Sequence, residues 1–295
     1  MESSTWLPTD GQRCLVGECP VWDVPTDALW HVDIRAPALH GPGRPDAGGR
    51  TKEKRRWALP SPIGAFALTA RDDAIVALKQ GLFRLDLASG RLAPIGNPEP
   101  DRPDNRLNEG CVSPCGRYFV FGSMDDRPAK EATGALYRLD VDGGLRVIDD
   151  GYVVANGLAW SPDGATLYHS DSRRCLVFAS DWNAQDGTLS ATRILTRPDE
   201  AEGRPDGAAV DAEGFYWSAG VSAACLNRFA PDGRLDRKVP LPVSHPTKPA
   251  FGGPDRASLY ITSMTPPDGP RMALDGAVIH LRAGVTGLVP PRFLG

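Results

Sequence analysis

The sequence predicts an all-β fold, a six-bladed β-propeller of four-stranded antiparallel blades, and three observations carry that expectation. Glycine (32) and proline (28) are abundant, and the apolar runs are short and bounded by turn residues, with no long amphipathic helix. A turn chemistry of Asp, Pro and Gly recurs, as Ser-Pro-Cys-Gly at 113–116, Ser-Pro-Asp-Gly at 161–164, Asp-Ala-Glu-Gly at 211–214 and Pro-Asp-Gly at 231–233. Asp and Pro initiate such turns, and Gly supplies the positive φ that tight hairpins need. The unit they punctuate restarts near Pro20, Phe66, Cys111, Gly157, Ala208 and Ala250, at spacings of 42–51 residues, the length of one blade.

The elements follow in order. The first unit has an apolar strand at 28–34, then a glycine- and arginine-rich stretch at 41–56 that reads as an elongated, solvated hairpin. A basic docking patch at Arg50–Arg56 is the sharper alternative there. The second unit holds the run 66–78, turning at Asp73, and a further hairpin from Gly81 through Ser89 and Gly90. In the third, 118–122 follows the turn at 113–116, and a second hairpin runs from Gly134 through Asp142. The fourth and fifth repeat one pattern, a small or apolar strand, an Asp-containing turn, then a strand with aromatic residues: Trp160 then Tyr168, Val210 then Phe215 to Trp217. The sixth has its turn at 253–255 and a strand at 258–263. Residues before Glu18 are free to supply the outer strand of the last blade and close the ring. No blade buries its faces alone, but radial stacking buries both and leaves only short edges. The expectation is one domain over 1–295. A β-sandwich is the competing architecture, and the repeat-sized period argues against it. A lone Trp-Asp pair at 22–23 excludes the WD-repeat subtype.

Composition narrows the function. The formal net charge of −4 gives no footprint for nucleic acid or an anionic membrane. No apolar stretch approaches a spanning helix, and the start lacks a basic lead-in and an apolar run, so the expected location is the cytoplasm. The six cysteines form no Cys-x-x-Cys and read as reduced, mostly packed thiols; the five histidines show no zinc spacing. There is no Gly-x-Ser-x-Gly elbow and no phosphate-binding glycine motif, which argues against serine nucleophiles and nucleotide cofactors.

Polar residues at the blade starts converge on one mouth of a propeller's channel. Four such segments stand out: Gly17 to Pro20, Arg106 to Gly110, Ala155 to Gly157 and Arg204 to Gly207. All supply carboxylate or carboxamide oxygens at what reads as one position of the repeat, a set suited to a hard divalent cation. Cys19 and Cys111 are expected to point away from that mouth.

These segments resemble the sugar-lactonase family that includes gluconolactonase and senescence marker protein/regucalcin. The likeness runs through Gly-Glu-Cys-Pro-Val-Trp at 17–22, Arg-Leu-Asn-Glu-Gly at 106–110, Asn-Gly-Leu-Ala-Trp-Ser at 156–161, Pro-Asp-Gly at 205–207 and Lys-Pro-Ala-Phe-Gly-Gly at 248–253. It implies a six-bladed propeller with one divalent ion (Ca, Zn, Mn or Fe) held by Glu18, Asn156 and Asp206. It places Arg106 and Asn108 on the substrate, with Glu109 beside them where the family more usually has aspartate. It implies hydrolysis of a pentose- or hexose-type aldonolactone, with the ion polarising the carbonyl and Asp206 positioning or deprotonating water. The family's substrate-facing glutamate has Asp125 or Asp126 as stand-ins. A metal-dependent phosphotriesterase and a non-catalytic calcium- or ligand-binding propeller are the competing readings; Arg106 with Asn108 favours a polyhydroxylated small molecule. The only expected partner is that substrate, with the protein a monomer or weak dimer.

Overall fold

The computed structural model describes residues 7–8, 11–42, 54–269 and 271–295. They form six four-stranded antiparallel sheets. In the first five, the strands follow one another in sequence, from Gly17–Asp23 to Lys54–Ala58, Ile63–Leu68 to Leu92–Gly96, Asn105–Val112 to Leu145–Tyr152, Ala155–Trp160 to Thr188–Thr196 and Pro205–Val210 to Leu235–Pro240. The sixth runs Pro246–Gly252, Ser258–Ser263, Ile279–Arg282, and takes its fourth strand, Leu7–Pro8, from the other end of the chain. The first strand of each sheet contacts the first strands of both neighbours, and the series returns from the sixth to the first, so the sheets are the blades of a closed ring. Among the described residues there is no α-helix, only a 3-10 turn at Val24–Thr26, and no helix is long and apolar enough to cross a membrane.

The position of a strand in its blade decides its composition. Innermost strands such as Ile63–Leu68 and Ala155–Trp160 are buried along their whole length and are mostly small or apolar, with Asn156 the polar exception. Outer strands such as Thr188–Thr196 face water and carry Thr, Ser and Arg. Between blades the large side chains interdigitate: Trp57, Phe66, Phe119 and Phe121 share one core across the first three blades, and Trp217 and Phe251 another across the fifth and sixth. Each such side chain, fully buried, contributes roughly 1.5–3 kcal/mol. At the seam where chain start meets chain end, the Trp22 and Tyr260 rings stack 5.4 Å apart.

All six innermost strands slip register by one residue at the same depth. The breaks fall between Glu18 and Val21, Ile63 and Ala65, Leu107 and Gly110, Asn156 and Ala159, Pro205 and Ala208, and Pro246 and Pro249. A β-bulge bends the strand and re-aims one side chain out of the alternation. Repeated six times, it makes a ring of re-aimed side chains around one end of the channel.

The stretch at 41–56 is a hairpin in the first blade, its arms paired from Ala38↔Ala58 to Pro42↔Lys54. Its tip, including Arg50 of the docking-patch alternative, lies outside the described residues.

Candidate active site

The bulges build the site. Glu18 and Asn156 hold equivalent places, each just before the break in its strand. The residue that follows each is left-handed, Cys19 at φ 45° and Gly157 at φ 66°. Each side chain folds back on that corner: Glu18 Oε2 accepts from Cys19 N at 2.7 Å, and Asn156 Oδ1 from Gly157 N at 3.2 Å. A glycine takes this conformation without strain, whereas a cysteine costs on the order of 1 kcal/mol. Asn108 and Asp206 lie one place further along, inside the bulges of the third and fifth blades. The four residues therefore occupy two successive positions of the repeat rather than one.

The structure brings Glu18, Asn156, Asp206, Arg106 and Asn108 together in one funnel of about 410 Å³, whose walls also include Ser172, Arg173, Arg204, Lys130 and Thr247. Asn156 Nδ2 donates to Asp206 Oδ1 and to Ser172 Oγ. Arg106 donates to Asn108 Oδ1 at 2.7 Å and, through Nε, to Asp126 Oδ1 at 3.1 Å. Asn108 Nδ2 donates in turn to Ala155 O at 2.9 Å. These bonds hold the Arg106–Asn108 pair rigid against the funnel wall.

Glu109 lies elsewhere. It points behind the wall, almost fully buried, and accepts from Gly157 N at 2.6 Å, from Leu158 N at 3.1 Å and from the Lys248 ammonium. Burial favours the neutral Lys248 amine, but the Glu109 charge, the neighbouring Cys19 and Cys111 and the hydrogen bond to Glu109 together raise its pKa and keep it protonated. The pair thus ties the third, fourth and sixth blades together beneath the Asn156–Gly157 corner. Asp125 and Asp126 do not line the funnel either. Asp125 is fully buried and binds Arg127 and the Glu131 N–H, and Asp126 is the counter-ion of both Arg106 and Arg35. Cys19 faces away, its thiol donating to Gly64 O at 3.2 Å.

Electrostatically, the funnel centre is short of positive charge. Burial, with the Asp206 charge and then that of Glu109 adding to it, pushes the Glu18 carboxyl well above its ordinary range. Burial and the Glu109 charge push Asp206 up to about 7. Arg106 is committed to Asp126, and Lys248 to Glu109. Two carboxyls that oppose each other's ionisation, Glu18 buried and Asp206 half-buried, with a carboxamide between them, make an all-oxygen donor set that fits a hard or borderline divalent cation. The Asn156 amide, turned by half a rotation, presents its oxygen to the same space.

Reasoning from sequence missed Lys130, Arg173 and Ser172, and named Arg204 and Lys248 only as members of motifs, without a role. It also missed a second group of ligating side chains, Cys14, His31 and His40, which converge on the first blade and do not line the funnel. At the far end of the channel a separate, mostly apolar cavity of about 310 Å³ is walled by Pro20, Phe66, Trp160, Pro249 and Leu288, past the ring of bulges and away from the carboxyls.

The chain is similar to known proteins over nearly its whole length. Residues 16–265 match the family model described as the SMP-30/gluconolactonase/LRE-like region. The chain is 36% identical to a 6-deoxy-6-sulfogluconolactonase of Pseudomonas putida, over 96% of this chain and 97% of that one. It is 32% identical to regucalcin of Xenopus laevis, over 95% of each. A solved structure of a calcium-binding regucalcin from Agrobacterium tumefaciens superposes with a TM-score of 0.84 at 27% identity, covering 97% of this chain and 96% of that one.

Proposed function

Since the chain belongs to the SMP-30/gluconolactonase/LRE-like family, we propose that it is a metal-dependent sugar lactonase acting in the cytosol, opening an aldonolactone to its aldonic acid at the funnel. The convergence of Glu18, Asn156 and Asp206 from three blades carries this reading. When bound there, a divalent ion supplies positive charge against the lactone carbonyl as it turns anionic. The chain supplies the rest. Arg106, fixed by Asp126, and Asn108, fixed by Arg106, offer donors and acceptors for the sugar hydroxyls. Asp206 orients the attacking water and accepts its proton. Water oxygen bonds to the carbonyl carbon, the ring C–O bond breaks, and the ring oxygen leaves as a hydroxyl by taking up the proton that Asp206 accepted from the water. Glu109 and Lys248 hold the Asn156 corner in place from behind.

The funnel wall favours a substrate that carries an anion away from the ring carbonyl. Lys130, Arg173 and Arg204 line the funnel beside Arg106, and among the described residues none of these three forms an ion pair. Burial, with the Arg106 charge adding to it, lowers the Lys130 pKa. These side chains, Arg204 acting on Asp206 and Lys130 facing Asp126 and Asp125, add positive field along the wall where an anionic group of the substrate would lie. A sulfonated sugar, such as the name of the P. putida relative specifies, has that character.

The test is to strip the protein with chelator, reload it with Ca²⁺, Zn²⁺, Mn²⁺ or Fe²⁺, and follow acid release. The substrates are neutral pentono- and hexonolactones and a hexonolactone bearing a terminal sulfonate. Metal-restored turnover supports the reading, with the lowest KM expected on the sulfonated substrate. No acid release above the blank with any ion overturns it.

A further inference from the structure

The geometry points to a second metal site, on the first blade and independent of the funnel, in which Cys14, His31 and His40 take a soft or borderline transition-metal ion, zinc or copper, and fasten the seam of the ring. One sulfur and two imidazole nitrogens lie within 4.8 Å of one another, and all three side chains are buried. They come from different elements. His31 and His40 are directly opposite on neighbouring antiparallel strands, Ala28–Asp33 and Ala38–Pro42. Their rings stack at 4.9 Å with planes 12° apart. Side chains facing across such a pair leave their Cα atoms roughly 4.5–5.5 Å apart, a span that two imidazoles on one ion bridge readily.

Cys14 is set by backbone bonds rather than by chance contact. Its N–H donates to Gly276 O at 2.8 Å, and the next two N–H groups donate to the Asp33 carboxylate at 2.8 and 3.1 Å. Asp33 stands two residues from His31, so the third ligand is held in register with the first. The Gln12 Nε2 lies 2.8 Å from His40 Nδ1, and the carboxamide turned by half a rotation would present its oxygen there as a weak fourth donor. A His₂Cys set with an axial Gln oxygen is a copper-type arrangement, and the same set in tetrahedral form suits zinc. Bonds of about 2.0–2.3 Å to one ion would draw the ligand atoms closer together than they stand here. A cavity of about 300 Å³ with Gln12 and His40 in its wall gives the ion access.

The placement gives the ion a role. The chain runs from Leu7–Pro8, the strand that completes the sixth blade, through Gln12 and Cys14 to Gly17–Asp23 in the first. An ion on Cys14, His31 and His40 ties this connecting segment to the first blade where the ring closes. The oxygen-rich funnel and the nitrogen–sulfur seam also sort ions by hardness, so both sites fill from a mixed pool without exchange.

The test uses Co²⁺ as a spectroscopic probe for zinc, and then Cu²⁺, on the full-length protein with excess Ca²⁺ present to occupy the funnel. One equivalent of Co²⁺ should produce a thiolate-to-metal charge-transfer band. Cys14→Ser should abolish that band, His40→Ala should weaken binding at least about 10-fold as loss of one ligand does, and Glu18→Gln should leave the band unchanged. Zinc at about 100 times its Kd should raise the Tm of the wild-type protein by roughly 5 °C and that of Cys14→Ser by nothing. Absence of a thiolate band with both Co²⁺ and Cu²⁺ overturns the proposal, and so does a band that survives Cys14→Ser or is lost in Glu18→Gln. Should Cys14→Ser fail to fold, His40→Ala and His31→Ala carry the same comparison through metal stoichiometry.

Discussion

Replacing Asp206 by Asn should make the metal-free protein more stable at pH 8 while removing its activity. The Asp206 carboxyl is raised from 3.8 to about 7, by burial first and by the Glu109 charge second. A folded-state pKa above the unfolded value means that the native protein holds the proton longer than the unfolded chain does. Stability therefore falls as pH rises through the interval between the two values, and the full loss is present above about pH 7. A shift of about 3 units corresponds to ~4 kcal/mol if taken whole. Asp206 is only half-buried and shares its penalty with Glu18, so relief of about 1–2 kcal/mol is the expected gain, or roughly 2–3 °C in Tm for a chain of this size. The Asn156 amide keeps an acceptor, because Asn at 206 retains one side-chain oxygen. The assay is thermal unfolding in chelator at pH 5 and pH 8, beside lactone turnover with metal. The variant's advantage should shrink at pH 5, where the wild-type carboxyl is already protonated in the native state. Turnover should fall by about 10²–10⁴ if Asp206 takes the proton from water. Loss of stability at pH 8, or an equal gain at both pH values, would refute the argument that unbalanced carboxyl charge defines this site.

Three further outcomes follow from the same geometry. Glu109→Ala leaves the Lys248 ammonium buried without its partner and should lower unfolding free energy in urea by about 3–5 kcal/mol; the exposed pair Arg282–Asp255, cut by Arg282→Ala, should cost no more than about 1 kcal/mol. Arg106→Ala should raise KM for sugar lactones far more than for plain butyrolactone, while Asp126 stays paired with Arg35; equal losses on both substrates would make Arg106 a structural residue only. Deleting residues 1–10 removes the fourth strand of the sixth blade and exposes the edge of Ile279–Arg282, so Tm should drop and aggregation should rise, as measured by thermal scanning with light scattering.

The architecture was legible because blade length and turn chemistry are local properties. Each hairpin writes its own Asp, Pro and Gly, and six repetitions of one pattern outweigh any single misread turn. The closing strand was legible too, since residues ahead of Glu18 had no place in a first blade already complete. The site was harder to read, because its geometry depends on pairing between strands. A one-residue bulge is a mismatch between two strands and leaves no mark on either sequence alone. That is why Glu18, Asn108, Asn156 and Asp206 look like one repeated position, when the register places two of them before the break and two within it. Glu109 shows the consequence most sharply. It directly follows Asn108 inside the bulge, so the kink that turns Asn108 into the funnel sends Glu109 behind the wall, where its carboxylate accepts from both Lys248 and the Gly157 N–H. The same logic hid Cys14, His31 and His40. Nine positions separate the histidines along the chain, a spacing with no meaning until the hairpin between them pairs residue 31 with residue 40. In a propeller, then, scaffold is read along the strand and chemistry across it.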